Sequence, residues 1–222
     1  MNKICILMIA IFAFVACDTN HRAEFNGIDR NDIAGYETFI EKYPTSDLVD
    51  DAQQRIVVAK ENLKLKELHD IQVQLERQYG NCSLPNGSQP YSIWYGKNHY
   101  IDDYTSHSEI QIKAPYNSDV IAIVRYNNHN GKVAGHKYIQ AGCVSSIYLQ
   151  NGCSYQTFFY YGVGWNPEKE MKNGLRGGFV KNESYSKDGT SQFLDNNILK
   201  YELVLQEHGN FQTMRSNENE IF

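Results

Sequence analysis

The spacing of apolar residues changes period at Gly80, and this break divides the chain into two differently built parts. Before it, Ile33, Tyr36, Phe39, Ile40 and Tyr43 recur at three- and four-residue steps, which marks one face of a helix. Asn31 or Asp32 caps its start, and Pro44 ends it by supplying no N–H and by disfavouring helix in the residue before it. Thr45-Ser46-Asp47 offers new capping groups. A second helix then runs to about Tyr79, with a seam of Ala52, Ile56, Ala59, Leu63, Leu68, Ile71 and Leu75. Its length is roughly 30 residues, or ~45 Å.

After Gly80 the helical period vanishes. Here lie 13 of the 16 tyrosines and both tryptophans, separated by Asn-Gly and Gly-Asn turn signals. Strands are expected at 108–114, 119–126, 134–140, 144–149, 154–161, 198–206 and 211–214. Residues 119–126 are apolar on both alternating faces, so that strand belongs in the middle of a covered sheet. In 198–206, Leu199, Tyr201, Leu203 and Leu205 share one face against Lys200, Glu202 and Gln206, so one face is wet. His208-Gly209-Asn210-Phe211 reads as a hairpin turn that brings Leu205 to Met214, and Asn151-Gly152 as another that pairs 150 with 153. The expected class is α+β: a helical hairpin at 28–79, then an antiparallel β-sandwich of about seven strands at 80–222.

The N-terminus carries an address. Lys3 precedes the 12-residue apolar run Ile4 to Val15, too short for a membrane span of roughly 20 residues and therefore read as an export signal. Phe14-Val15-Ala16-Cys17 resembles the bacterial lipobox, with Phe14 where leucine is usual. That resemblance implies cleavage after residue 16, acylation of Cys17, and attachment to a bilayer through lipid. Residues 17–27, polar and without periodicity, then form a lipidated tether. The mature chain would carry a net charge of −6, since the −5 of the full chain loses only Lys3, and with no long basic run it is not built for nucleic acid.

Two further resemblances bear on architecture. The stretch from Tyr36 to Ile56 resembles one helical hairpin of the tetratricopeptide repeats found in cell-envelope lipoproteins, through Tyr36, Phe39, Lys42-Tyr43-Pro44, Ala52 and Ile56. No second copy follows, so a spacer is favoured over a peptide groove, which needs stacked repeats. The segment 139–165 resembles the hairpin of small carrier-like β-sandwich modules of exported bacterial proteins. Through Tyr161-Gly162-Val163-Gly164-Trp165-Asn166-Pro167 and Gly177-Gly178-Phe179-Val180, the whole β part resembles uncharacterised lipoprotein domains of gut-type Gram-negative bacteria. These resemblances imply a lipoprotein of the cell envelope, held in the outer membrane. They imply no chemistry.

Candidate sites were weighed against ordinary structural roles. Cys82, Cys143 and Cys153 remain in the mature chain, and export permits one disulfide. The Asn151-Gly152 turn would set Cys143 and Cys153 roughly 23 Å apart, beyond the ~6 Å bridging distance, so a bond would join Cys82 to Cys143 or Cys153. His129 and His136 lack metal-ligand spacing, and neither a metal nor a cofactor is expected. Cys143 or Cys153 as a nucleophile with His136 as base lacks an orienting third group. Asp102 and Asp103 with Glu109 read as a solvated acidic loop, and Gly174 to Gly178 beside Arg176 as a flexible turn.

The strongest candidate is aromatic. Phe158, Tyr160, Tyr161 and Trp165, joined in space by Trp94 and Tyr95, would form a binding surface if one face of their strand stays open. The alternative covers both faces, the second by the 166–197 loop or by the helical hairpin. The expected function is a non-catalytic binding or scaffolding lipoprotein for an envelope or extracellular protein or glycan, or else an immunity protein that neutralises a secreted toxin.

Overall fold

A computed structural model describes residues 20–96, 107–127, 131–204 and 213–222. Cys17, Asp102, Asp103, His129 and the 208–211 turn therefore lie outside the described residues. The chain forms two compact units, Met1–Ile71 and Gln72–Phe222, so the division falls inside the long helix rather than at Gly80.

In the first unit, the tether expected over 17–27 is a helix from residue 20 to residue 27, α1. Its sequence has no helical period, and tertiary contacts supply what propensity does not. Phe25 is buried against Tyr36 and Phe39, with ring centroids 5.7 and 5.2 Å away, and the Arg55 guanidinium sits over its ring. Glu24 accepts hydrogen bonds from Lys42 and Tyr43, and Arg22 pairs with Asp47. Helix α2 spans Ile33–Lys42, and its N-cap is Asp32, which accepts from the Gly35 N–H at 2.9 Å. Helix α3 spans Val49–Tyr79. Its expected seam is buried only at Ala52, Ile56 and Ala59; residues 61–74 are all exposed, including Leu63, Leu68 and Ile71.

The second unit is a β-sandwich with nine strands in two sheets among the described residues, two more than the sequence suggests. In chain order they are β1 Ser108–Lys113, β2 Asp119–Tyr126, β3 Val133–Ile139, β4 Val144–Leu149, β5 Cys153–Glu170, β6 Arg176–Asp188, β7 Gln192–Leu194, β8 Ile198–Glu202 and β9 Thr213–Arg215. One sheet has the order β4-β1-β8; the other runs β3-β2-β5-β6-β9, with β7 also on β5. Every pairing is antiparallel except β1 with β8, which is parallel. Strand β2 lies between β3 and β5 with both faces covered, as its uninterrupted apolar run requires. Strand β8 buries Tyr201 and exposes Ile198, Lys200 and Glu202, and Leu203 just beyond it is buried, in keeping with the alternation read in the sequence.

The hairpin expected at Asn151-Gly152 is absent. At Asn151-Gly152 the chain passes from β4 in the small sheet to β5 in the large one, so 150 does not pair with 153. Strands β8 and β9 belong to different sheets, and the residues between them, with Leu205, lie outside the described residues. The 166–197 segment is no loop: it holds the end of β5 and all of β6 and β7. Strand β6 was illegible because it is mostly polar, and it is held as a strand by backbone pairing with β5 on one side and β9 on the other.

Two cores result. Between the sheets pack Ile110, Ile112, Ile147, Leu149, Tyr201 and Leu203 from one, against Val120, Ala122, Val124, Phe159 and Tyr161 from the other. The outer face of the large sheet carries a second core of Ile121, Ile123, Tyr138, Phe158, Tyr160, Trp165 and Phe179. It is covered by Tyr91, Met171, Leu175, Ile221 and Phe222.

Candidate functional site

Register decides the fate of the aromatic cluster. Phe159 and Tyr161 stand opposite Ala122 and Val120 and fill the inter-sheet core, whereas Phe158 and Tyr160 stand opposite Ile123 and Ile121 on the outer face. All four rings, and Trp165, are buried. The expected binding surface of Phe158, Tyr160, Tyr161 and Trp165 is therefore core. Tyr161 faces the other sheet, and the outer face is closed by Tyr91, by the last two residues and by Met171 and Leu175 of the 166–197 segment, one of the two covers the sequence offered. Trp94 and Tyr95, in the short helix α4 Ser92–Tyr95, do gather with Trp165, but around Tyr91: the ring centroids of Trp94, Tyr95 and Trp165 lie 6.4, 6.1 and 6.3 Å from it. Only Trp94 of the six is exposed, at 40 %.

His136 belongs to the same outer core. It is 1 % exposed, its Nε2 accepts from the Tyr91 N–H at 3.0 Å, and it stacks on the Tyr91 ring. Burial holds its pKa down to about 4, so the ring is neutral near pH 7. Cys143 and Cys153 pack instead against the inter-sheet core, on the other side of the large sheet from His136, so no cysteine–histidine pair forms. Cys82, Cys143 and Cys153 are free thiols, and the disulfide expected from Cys82 to Cys143 or Cys153 is not present. Glu109 accepts from the Ser146 hydroxyl across β1 and β4, and Arg176 pairs with Glu168 at 3.5 Å. Among the described residues, no group of three His, Cys, Asp or Glu is placed to hold a metal ion, and no helix is long and apolar enough to cross a membrane.

An open aromatic surface lies elsewhere, at the β1–β2 turn. Tyr116 is 82 % exposed and lines two depressions that meet at it. One, of about 310 Å³, is bordered by Gly80 to Ser83, Asn117 to Asp119, Ala141, Val163 and Gly164. The other, of about 230 Å³, is bordered by Lys113 to Asn117 and Glu202 to Val204. The turn is fixed to the β3–β4 turn by two backbone bonds: the Gly142 N–H donates to Pro115 O and the Ala114 N–H to Cys143 O, both at 2.9 Å. The Tyr116 ring rests on Gly142, whose φ of +71° and missing Cβ make room for it; a Cβ there would stand 2.9 Å from Cδ1 of the ring.

Charges around this turn are already matched. Lys113 Nζ donates to Glu202 at 2.7 Å and lies 5.6 Å from the Tyr116 ring centroid. Asp119 accepts from the Ser83 hydroxyl, the Ala141 N–H and the Tyr138 hydroxyl, and Tyr138 in turn has its pKa raised by burial and by that carboxylate. Asn81 and Asn117 are exposed and make no side-chain hydrogen bond among the described residues. None of these positions was singled out from the sequence. The usable signal was Pro115-Tyr116-Asn117-Ser118, an aromatic residue inside turn-forming composition, where strand alternation cannot bury a ring. No protein-family model, curated protein or solved structure matches the chain.

Proposed function

We propose that this chain is a lipid-anchored binding module of the cell envelope, in which acylated Cys17 holds the molecule to the bilayer. The helical unit serves as a spacer, and the sandwich engages a partner without catalysis. The observation that carries the binding reading is the Tyr116 turn, whose backbone is bonded to the β3–β4 turn and whose ring stands largely exposed between two depressions. Surfaces that present aromatic rings beside neutral polar groups are characteristic of recognition sites, since such rings bury much apolar area with little loss of side-chain freedom. His136 and the thiols of Cys143 and Cys153, groups a hydrolase would recruit, are distributed over opposite faces of the large sheet.

Two measurements test the two halves. Mass spectrometry of the N-terminal peptide is expected to find acylated Cys17, and Cys17→Ser is expected to release the protein from membranes; an unmodified terminus overturns the anchor. Recovery of envelope material on detergent-solubilised wild type and on Tyr116→Ala is expected to differ, and identical recovery overturns the Tyr116 surface.

A further inference from the structure

From the Tyr116 turn we infer that the ligand is a neutral oligosaccharide, which stacks a pyranose ring on Tyr116 and extends into the depressions on both sides. This inference rests on the binding reading above and names its substrate class. Three features of the turn select that chemistry.

The first is a platform. Tyr116 is held at its base by Gly142 and by the Gly142–Pro115 backbone bond, yet most of its ring is open to solvent. A ring fixed in this way loses little freedom when a flat apolar surface, such as the C–H face of a sugar, is laid on it. The second is the polar complement. Asn81 and Asn117 carry uncommitted side-chain amides, each able to donate twice and accept, which matches hydroxyl groups that also both donate and accept. The third is charge. The ionic groups beside the ring are engaged with one another or with neutral donors: Lys113 with Glu202, and Asp119 with Ser83, Tyr138 and Ala141. An anionic or cationic ligand would find no free counter-charge among these groups, whereas a neutral ligand needs none.

Extent follows from the geometry. Tyr116 and Asn117 line both depressions, so the ring stands where the two meet rather than at the bottom of one. A single sugar would use the ring and one side only. A chain of several sugars would use the ring and both sides, so affinity is expected to rise with length up to the span of the two depressions.

The test is isothermal titration of the full-length protein in a detergent without a sugar headgroup, lauryldimethylamine oxide. The probes are glucose, maltohexaose, cellohexaose, xylohexaose, mannohexaose and chitohexaose, with a sulfated heparin hexasaccharide as charged comparison. At least one neutral hexasaccharide is expected to bind more tightly than its monosaccharide. Tyr116→Ala is expected to weaken it by about tenfold or more, and Tyr116→Phe, which keeps the stacking face, by less than about threefold. Because the ring is 82 % exposed, unfolding of Tyr116→Ala is expected at the same denaturant concentration as wild type, and that measurement is made alongside. Absence of binding by every neutral probe, preference for the heparin hexasaccharide, or unchanged affinity in Tyr116→Ala each overturns the inference. If the neutral probes fail while Tyr116→Ala still loses envelope material, the binding module stands and only its saccharide ligand falls.

Discussion

Acid is expected to destabilise the sandwich through His136, and the size of the effect follows from its surroundings. The imidazole is 1 % exposed, accepts the Tyr91 N–H at Nε2, and is hydrogen-bonded to the Gln89 backbone. Adding a proton would place a charge in an apolar core and set one N–H against another at Tyr91, which is why burial lowers the pKa from 6.5 to about 4. Above pH 6.5 the ring is neutral both folded and unfolded, and it adds no pH dependence. Between 6.5 and about 4 the unfolded chain takes up a proton that the folded chain refuses, so stability falls as pH falls; below 4 this contribution is flat. The gap corresponds to roughly 3 kcal/mol in all, most of it lost by pH 4.5. Urea unfolding of wild type and His136→Gln at pH 7.5, 6.5, 5.5 and 4.5 isolates the effect, because carboxylates titrate alike in both proteins. Glutamine retains an acceptor for Tyr91 but cannot take up the proton, so the two stability curves should converge by roughly 2 kcal/mol or more as pH falls. Parallel curves, or a His136 ring that titrates near 6.5 by nuclear magnetic resonance, would refute the reasoning.

Other expectations concern packing. Gly162→Ala would put a Cβ 2.2 Å from the Phe179 Cβ across the β5–β6 pair, so chemical denaturation should show a loss of about 3 kcal/mol. Phe25→Ala, which removes the only large buried ring of α1, should cost about 3 kcal/mol in the first unit and speed amide exchange across residues 20–27. Asp32→Ala removes the acceptor for the Gly35 N–H and should lower the stability of that unit by about 1 kcal/mol in thermal or urea unfolding.

Local periodicity carried a large part of the architecture. The three- and four-residue steps from Ile33 to Tyr43, closed by Pro44, correspond to α2, and the long helix ends at Tyr79 as its pattern indicates. Strands β2 and β4 occupy the residues expected of them, and the uninterrupted apolar run of β2 lies covered on both faces as such a run requires. The α+β class followed from the same signals.

Long-range pairing decided the rest. Asn151-Gly152 looks like a hairpin turn locally, yet the strands around it belong to different sheets, because partner choice depends on which faces must be buried together rather than on the turn alone. Strand β6 exists through backbone bonds to β5 and β9, which its own polar side chains do not announce. The aromatic run 158–161 could be read as core on one face and surface on the other. The placement of Tyr91, Met171, Leu175, Ile221 and Phe222 over the second face made it core on both. Tyr116 became the open ring for the converse reason: it lies in a turn, outside strand alternation, where only the fold determines what covers a side chain.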